Sequence, residues 1–225
     1  MKKMMLGLAA IALFGFVPNG AFAQAQPPAA SAPAAAPAQQ LLSPDQLDQL
    51  VAPIALYPDT LLSEVLQAST YPLEVVQADR WATANKNLKG DALKNAAGQQ
   101  DWDDSVKSLT ATPSVLSMMS QQLDWTENLG DAVLAQQADV MDAVQRLRTK
   151  AQAQNKLQST SQQTVASQPG PSGNQYITIA PTDPNTVYVP YYDPSVVYGA
   201  WPYPSYPPYY WPAPGYIAGG IIASL

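Results

Sequence analysis

Between Leu41 and about Ser167 apolar residues recur three and four positions apart, the period of a helix with one buried face. Ser43-Pro44-Asp45-Gln46 combines a capping Ser, Pro at the first helical position and Gln three residues on, which predicts a capping-box start. Leu47, Leu50 and Val51 follow on one face, and Pro53 and Pro58 then punctuate the chain. Asp59 to Ser69 predicts a second helix through Leu61, Leu62, Val65 and Leu66. Thr70-Tyr71-Pro72 restarts a third, with Leu73, Val76 and Trp81 as its apolar positions. A short polar helix is expected between Gly90-Asp91 and Gly98. Trp102, Val106 and Leu109 mark another, and Thr112-Pro113 opens one carrying Val115, Leu116 and Met119. From Asp124 the pattern lengthens: Val133, Val140, Val144 and Leu147 repeat at near-heptad spacing with Gln137 as a polar interruption, and no Pro intervenes before Gln168. One long helix with a fraying Gln-rich end is predicted, with Trp81, Trp102 and Trp125 as core anchors.

After a linker at 168–174 the period falls to two. Tyr176-Ile177-Thr178-Ile179 is β-branched and aromatic, as strands prefer. Asp183-Pro184-Asn185-Thr186-Val187-Tyr188 is echoed ten residues later by Asp193-Pro194-Ser195-Val196-Val197-Tyr198. Asp-Pro opens a turn and each Val-Tyr reads as a strand, so residues 175–199 are expected to form a small antiparallel meander of three strands. The fold class is therefore mainly α: a compact multi-helix domain at 41–167 with one long C-terminal helix, then the β meander and a Pro/Tyr-rich tail at 200–225.

The ends of the chain have a different texture. Lys2 and Lys3 precede the uncharged, mostly apolar run Met4 to Val17, Pro18-Asn19-Gly20 breaks it, and Ala21-Phe22-Ala23 puts small residues where a signal peptidase reads. This is the three-part pattern of a secretory leader at 1–23, cleaved between Ala23 and Gln24, and its apolar run of 14 residues is short for a membrane span. Residues 24–40 are Ala, Pro and Gln with no charge, and are expected to be a disordered tether. Residues 200–216 are almost wholly Pro and aromatic, which favours polyproline II. The apolar stretch from Tyr216 to Leu225 has Gly219 and Gly220 and no polar end, which suggests a truncated form of a longer protein.

Composition narrows the chemistry. Of 11 Lys+Arg, Lys2 and Lys3 leave with the leader, so nine face 17 Asp+Glu and the net charge moves from −6 to −8. Nucleic acid and anionic membrane surfaces both need clustered positive charge, so nucleic acid is not expected as a partner. The absence of Cys removes disulfides, thiolate metal sites and a lipid-modified Cys; the absence of His removes the usual general base and the commonest transition-metal ligand. No cofactor and no enzymatic activity are expected.

Two groups of acidic side chains are candidate sites. Asp101, Asp103 and Asp104 could offer oxygens to Ca²⁺, but they lack the Gly and distal Glu of an EF-hand loop and read better as a helix start, where acids suit the dipole. Glu64, Glu74, Asp79 and Glu127 supply carboxylates of the kind glycosidases pair, with nothing that fixes two across a cleft. The unusual feature is the tract Tyr198, Trp201, Tyr203, Tyr206, Tyr209, Tyr210 and Trp211. It has four readings: stacking on cell-wall sugars, an interfacial aromatic belt, a Pro-rich ligand gripped by another protein, and a segment that folds back on the helical domain.

The run from Leu41 to Trp81 (LLSPDQLDQLVAPIALYPDTLLSEVLQASTYPLEVVQADRW), the DW-x-x-SVKSL motif, the segment LDWTENLGDAVLAQQADVMDAVQRLR and the block YVPYYDPSVVYG resemble a bacterial family, domain of unknown function 3300, the YacH-like proteins. The likeness covers about residues 41–212. It implies export and a Gly/Ala-rich apolar segment after the Pro-Tyr block, hence membrane association, and it brings no catalytic residue, ligand or cofactor. The expectation is an exported protein of the periplasm or cell envelope with a structural or interaction role. Its partner would be a membrane or cell-wall component reached through the C-terminal segment. The alternatives are a polysaccharide-binding module using the Tyr/Trp tract and a carboxylate-based hydrolase.

Overall fold

A computed structural model describes residues 41–170, 175–183, 186, 188–211 and the backbone of 222–223. The expected leader at 1–23, the tether at 24–40, residues 171–174 of the linker and the tail from 212 on, apart from the backbone of 222–223, lie outside the described residues.

The chain is mainly α, with a small antiparallel sheet after the helices. Helices α1 (Pro44–Val51), α2 (Asp59–Ala68), α3 (Pro72–Ala84), α4 (Gly90–Gly98), α5 (Asp104–Leu109) and α6 (Pro113–Gln121) precede the long α7 (Leu123–Ala153). The Ser43–Gln46 capping box is formed in both directions, and Pro opens α1, α3 and α6 as the sequence predicts. α1 runs along α7, α3 packs on α6, and α2 lies between α5 and α7. Gly130 of α7 passes against the end of α2, where an added Cβ would come within 2.2 Å of the Ser69 carbonyl oxygen, so only glycine admits this crossing.

α7 is broken once. Gln136 has non-helical angles (φ −152°, ψ 50°), and its buried side-chain amide bridges the backbone of Leu42, accepting from N at 2.8 Å and donating to O at 3.2 Å. The break re-aims the buried face: Trp125, Leu129 and Ala132 line the core before it, Val140, Ala143, Val144 and Leu147 after it. The near-heptad expected through Val133 therefore holds only past the break, and Gln136 rather than Gln137 is the buried amide. In α3 the inward residues are Val75 and Ala78, while Leu73 is 69% exposed. Trp125 is a buried anchor as expected, whereas Trp81 and Trp102 meet edge to face at 5.8 Å near the surface.

The expected three-strand meander is corrected. β1 (Gln163–Pro169), which falls in the expected fraying helix end and linker, pairs antiparallel with β2 (Gln175–Pro181). β3 (Pro190–Tyr191) pairs through its backbone with β4 (Ile222–Ala223). Pro194–Val197 is a short helix, α8, rather than a strand. The reason is local: Asp193 accepts from Ser195 N at 2.8 Å as a helix cap, Pro194 has a preset φ, and Gly199 at φ 71° ends the turn. Thr186 bonds back to Asp183, from its N to the Asp183 carbonyl at 3.1 Å and from its hydroxyl to Oδ2 at 3.0 Å; Pro184, Asn185 and Val187 lie outside the described residues.

Candidate functional site

The segment between α1 and α2 is a loop in the middle of the core. Ala52, Ile54, Ala55, Leu56 and Tyr57 are all buried. A buried loop must find partners for backbone groups that neither water nor a ladder supplies. Here the partners are side chains far along the chain. Trp125 donates from Nε1 to the Leu50 carbonyl at 2.8 Å. Arg148, fully buried, donates to the carbonyls of Ala55 (2.8 Å) and Tyr57 (3.0 Å), to Ile177 O of β2 (2.8 Å) and to Asp59 Oδ1 (2.6 Å). Tyr192 and Tyr198 both donate to the Ala52 carbonyl, at 2.9 and 2.8 Å, and the Tyr192 hydroxyl accepts from Leu56 N at 3.2 Å. Burial pushes the phenols of Tyr57, Tyr192 and Tyr198 up from their ordinary value.

From Tyr198 the aromatic tract continues along α1 and α7. Trp201 donates to Tyr206 O at 2.8 Å, and Lys150 of α7 lies 5.5 Å over the Trp201 ring and 5.2 Å over the Tyr203 ring. Lys150 also pairs at 3.1 Å with Asp48 of α1, a fully buried carboxylate that Arg146 contacts at 2.7 Å and the Tyr203 hydroxyl at 3.4 Å. Burial first, and the Asp48 charge second, hold the Tyr203 phenol above its usual range. Gln49 donates to Pro207 O at 2.7 Å and accepts from Tyr209 N at 3.4 Å. Tyr209 stacks on Trp211, whose ring meets Trp125 edge-on at 4.9 Å. Tyr210 borders a small crevice with Tyr57 and Tyr192. None of the seven aromatics singled out in the sequence is fully exposed: Tyr198 is buried and the other six are half-buried. The structure thus gathers all seven into one strap against the helical body. It adds Tyr192, Asp48, Arg146, Arg148 and Lys150, which sequence reasoning did not single out. The available signal was Arg148, a cation on the apolar face of α7 with Val144 and Ala151.

The candidate acids are placed as follows. Asp103 caps α5, and the Ser105 hydroxyl holds its carboxyl below the usual range. Asp104 is exposed beside Lys107 at 3.3 Å. Among the described residues no cluster of three or more carboxylates could hold a metal ion. Glu74 accepts from Asp103 N at 2.6 Å, and Glu127 is exposed. Glu64 and Asp79 line one cavity, and burial raises the Glu64 carboxyl.

Residues 43–224 match the model of a protein family of unknown function, DUF3300, and the chain belongs to that family. It is similar to the uncharacterized protein YacH of Escherichia coli (strain K12), with 44% identity over 195 residues covering 74% of this chain and 32% of that protein. The chain thus spans about a third of that relative's length. No solved structure matches. Among the described residues no helix is long and apolar enough to cross a membrane.

Proposed function

We propose that this is an exported, non-enzymatic protein of the bacterial cell envelope with a structural or interaction role. In this reading the helical body is a fixed platform and the Pro/Tyr strap sets where the following chain leaves it. The observation that carries the reading is that the tract is fastened to the helical body, through Asp48 and Gln49 of α1, Trp125 and Lys150 of α7 and the Ala52 carbonyl, with none of its seven aromatics fully exposed. Rings already stacked on one another and on Lys150 serve cohesion better than sugar stacking. Export is supported by the leader pattern at 1–23. The test is fractionation with mass spectrometry of the N-terminus. A chain starting at Gln24 in the envelope fraction is expected; an intact Met1 terminus in the cytosol contradicts the proposal.

The hydrolase reading has one observation in its favour, the shared cavity of Glu64 and Asp79. Turnover of peptidoglycan that vanishes in both Glu64→Gln and Asp79→Asn would establish it; no turnover by the unaltered chain removes it.

A further inference from the structure

A cavity of about 880 Å³ lies away from the strap, between α3, α4, α5 and the start of α6. Its volume suits a small molecule rather than a polymer. Its charge is opposite to that of the chain. Lys86, Lys89, Lys94 and Lys107 all line it, against Glu64 and Asp79, in a protein whose net charge is −6. The other cations of the helical body are mostly committed elsewhere: Arg146 and Lys150 to Asp48, and Arg148 to Asp59. Lys107 pairs with the exposed Asp104. Lys86, Lys89 and Lys94 have no ion-pair partner among the described residues.

Lysines past the end of a helix often serve only its dipole, and Lys86 follows α3 in that way. That account does not cover Lys89, which occupies the cap position of α4, or Lys94 within α4. There a cation opposes the dipole or is indifferent to it, and neither α4 nor α6, whose starts border the cavity, has a side-chain cap. Between the lysines the lining is apolar, with Leu88, Leu93 and Pro113. Leu88 and Leu93 are half-buried, so their remaining surface is available to a ligand.

We infer that this cavity binds a small phosphorylated amphiphile, its phosphate head among Lys86, Lys89 and Lys94 and its apolar body along Leu88 and Leu93. Three unpaired ammonium groups match a phosphomonoester dianion better than a carboxylate, because lysine binds phosphate as a point charge without the planar fork that carboxylates favour. An apolar wall beside the charges adds affinity for an attached hydrocarbon that free phosphate lacks.

Titration calorimetry on the full chain at low salt tests this with dodecyl phosphate below its micelle concentration, inorganic phosphate and the uncharged dodecyl maltoside. Dodecyl phosphate is expected to bind at least about tenfold more tightly than either control and to weaken as salt is added. The combined variant K86Q/K89Q/K94Q, in which all three side chains are exposed and the fold should persist, is expected to lose about tenfold or more in affinity. Leu93→Gln should weaken dodecyl phosphate but not inorganic phosphate. Binding unaltered in the triple variant places the ligand elsewhere and overturns the inference. So does the absence of binding, or equal affinity for the uncharged amphiphile or for inorganic phosphate.

Discussion

Replacing Arg148 by Met removes the guanidinium and keeps most of the side-chain volume. Two backbone carbonyls, those of Ala55 and Tyr57, then lose their donor inside the core, while Ile177 O loses Arg148 but keeps Gln145 Nε2 at 3.1 Å. An unsatisfied buried group costs about 1–3 kcal/mol, so two carbonyls set a floor of roughly 2 kcal/mol. The ion pair adds less than its 2.6 Å length suggests, because the Asp59 side chain is 42% exposed and regains water. A total of about 2–4 kcal/mol follows. Against a total stability of about 5–15 kcal/mol, the variant should stay folded at room temperature but unfold at a clearly lower urea concentration. The assay is urea unfolding followed by tryptophan fluorescence, with Trp125 as the buried reporter. Asp59→Asn, which leaves the three carbonyl bonds in place, should cost roughly 1 kcal/mol or less. An Arg148→Met loss under about 1 kcal/mol would refute the reasoning, since it would mean that the buried loop does not depend on this side chain.

Other outcomes follow from the same structure. Gly130→Ala should destabilise by at least about 1–3 kcal/mol in the same assay, because the added methyl meets the Ser69 carbonyl and backbone cannot step aside as a side chain can. Above the ordinary phenol value the unfolded chain ionises Tyr57, Tyr192 and Tyr198 while the native chain keeps them protonated. The native state then binds more protons, so stability should fall as pH rises past about 10, by up to about 1.4 kcal/mol per pH unit for each phenol. Absorbance at alkaline pH should accordingly show these three tyrosines titrating only as the chain unfolds. For Glu64 the native carboxyl is raised by burial. Its protonated form favours the native state and stability falls as pH rises through the carboxylate range, so Glu64→Gln should flatten that part of the urea-midpoint profile without loss of stability at neutral pH.

The helical part of the fold was legible where the signal is local. The Ser43–Gln46 box, the Pro-led starts of α1, α3 and α6 and the existence of a long helix from about Asp124 all depend on residues within a few positions of one another, whereas its end at Ala153 did not show. What stayed hidden depends on contacts across the chain. Gln136 breaks α7 because Leu42, 94 residues away, takes up its amide. Gln145 bridges Ile177 in the same two-bond manner, at 2.8 and 3.1 Å, so glutamines that read as a fraying surface are fastenings. In α3 the small residue Ala78 faces inward and Leu73 outward, the reverse of a hydrophobicity ranking, because helices that pack closely need small side chains at the contact. The aromatic tract was visible as a feature but not as a strap: nothing near Tyr203 or Trp201 in sequence announces Asp48 or Lys150. Val196 and Val197 favoured a strand by propensity, and the Asp193 cap overrode it.

The buried loop after α1 is locked by the tyrosines that begin the C-terminal strap. Native-state hydrogen exchange at the Leu56 amide, whose partner is the Tyr192 hydroxyl, is the decisive measurement. This loop amide should exchange as slowly as the core of α7, opening only with global unfolding, and Tyr192→Phe should accelerate it by about tenfold or more. A Leu56 amide that exchanges at the rate of an open loop, or one indifferent to Tyr192→Phe, contradicts it.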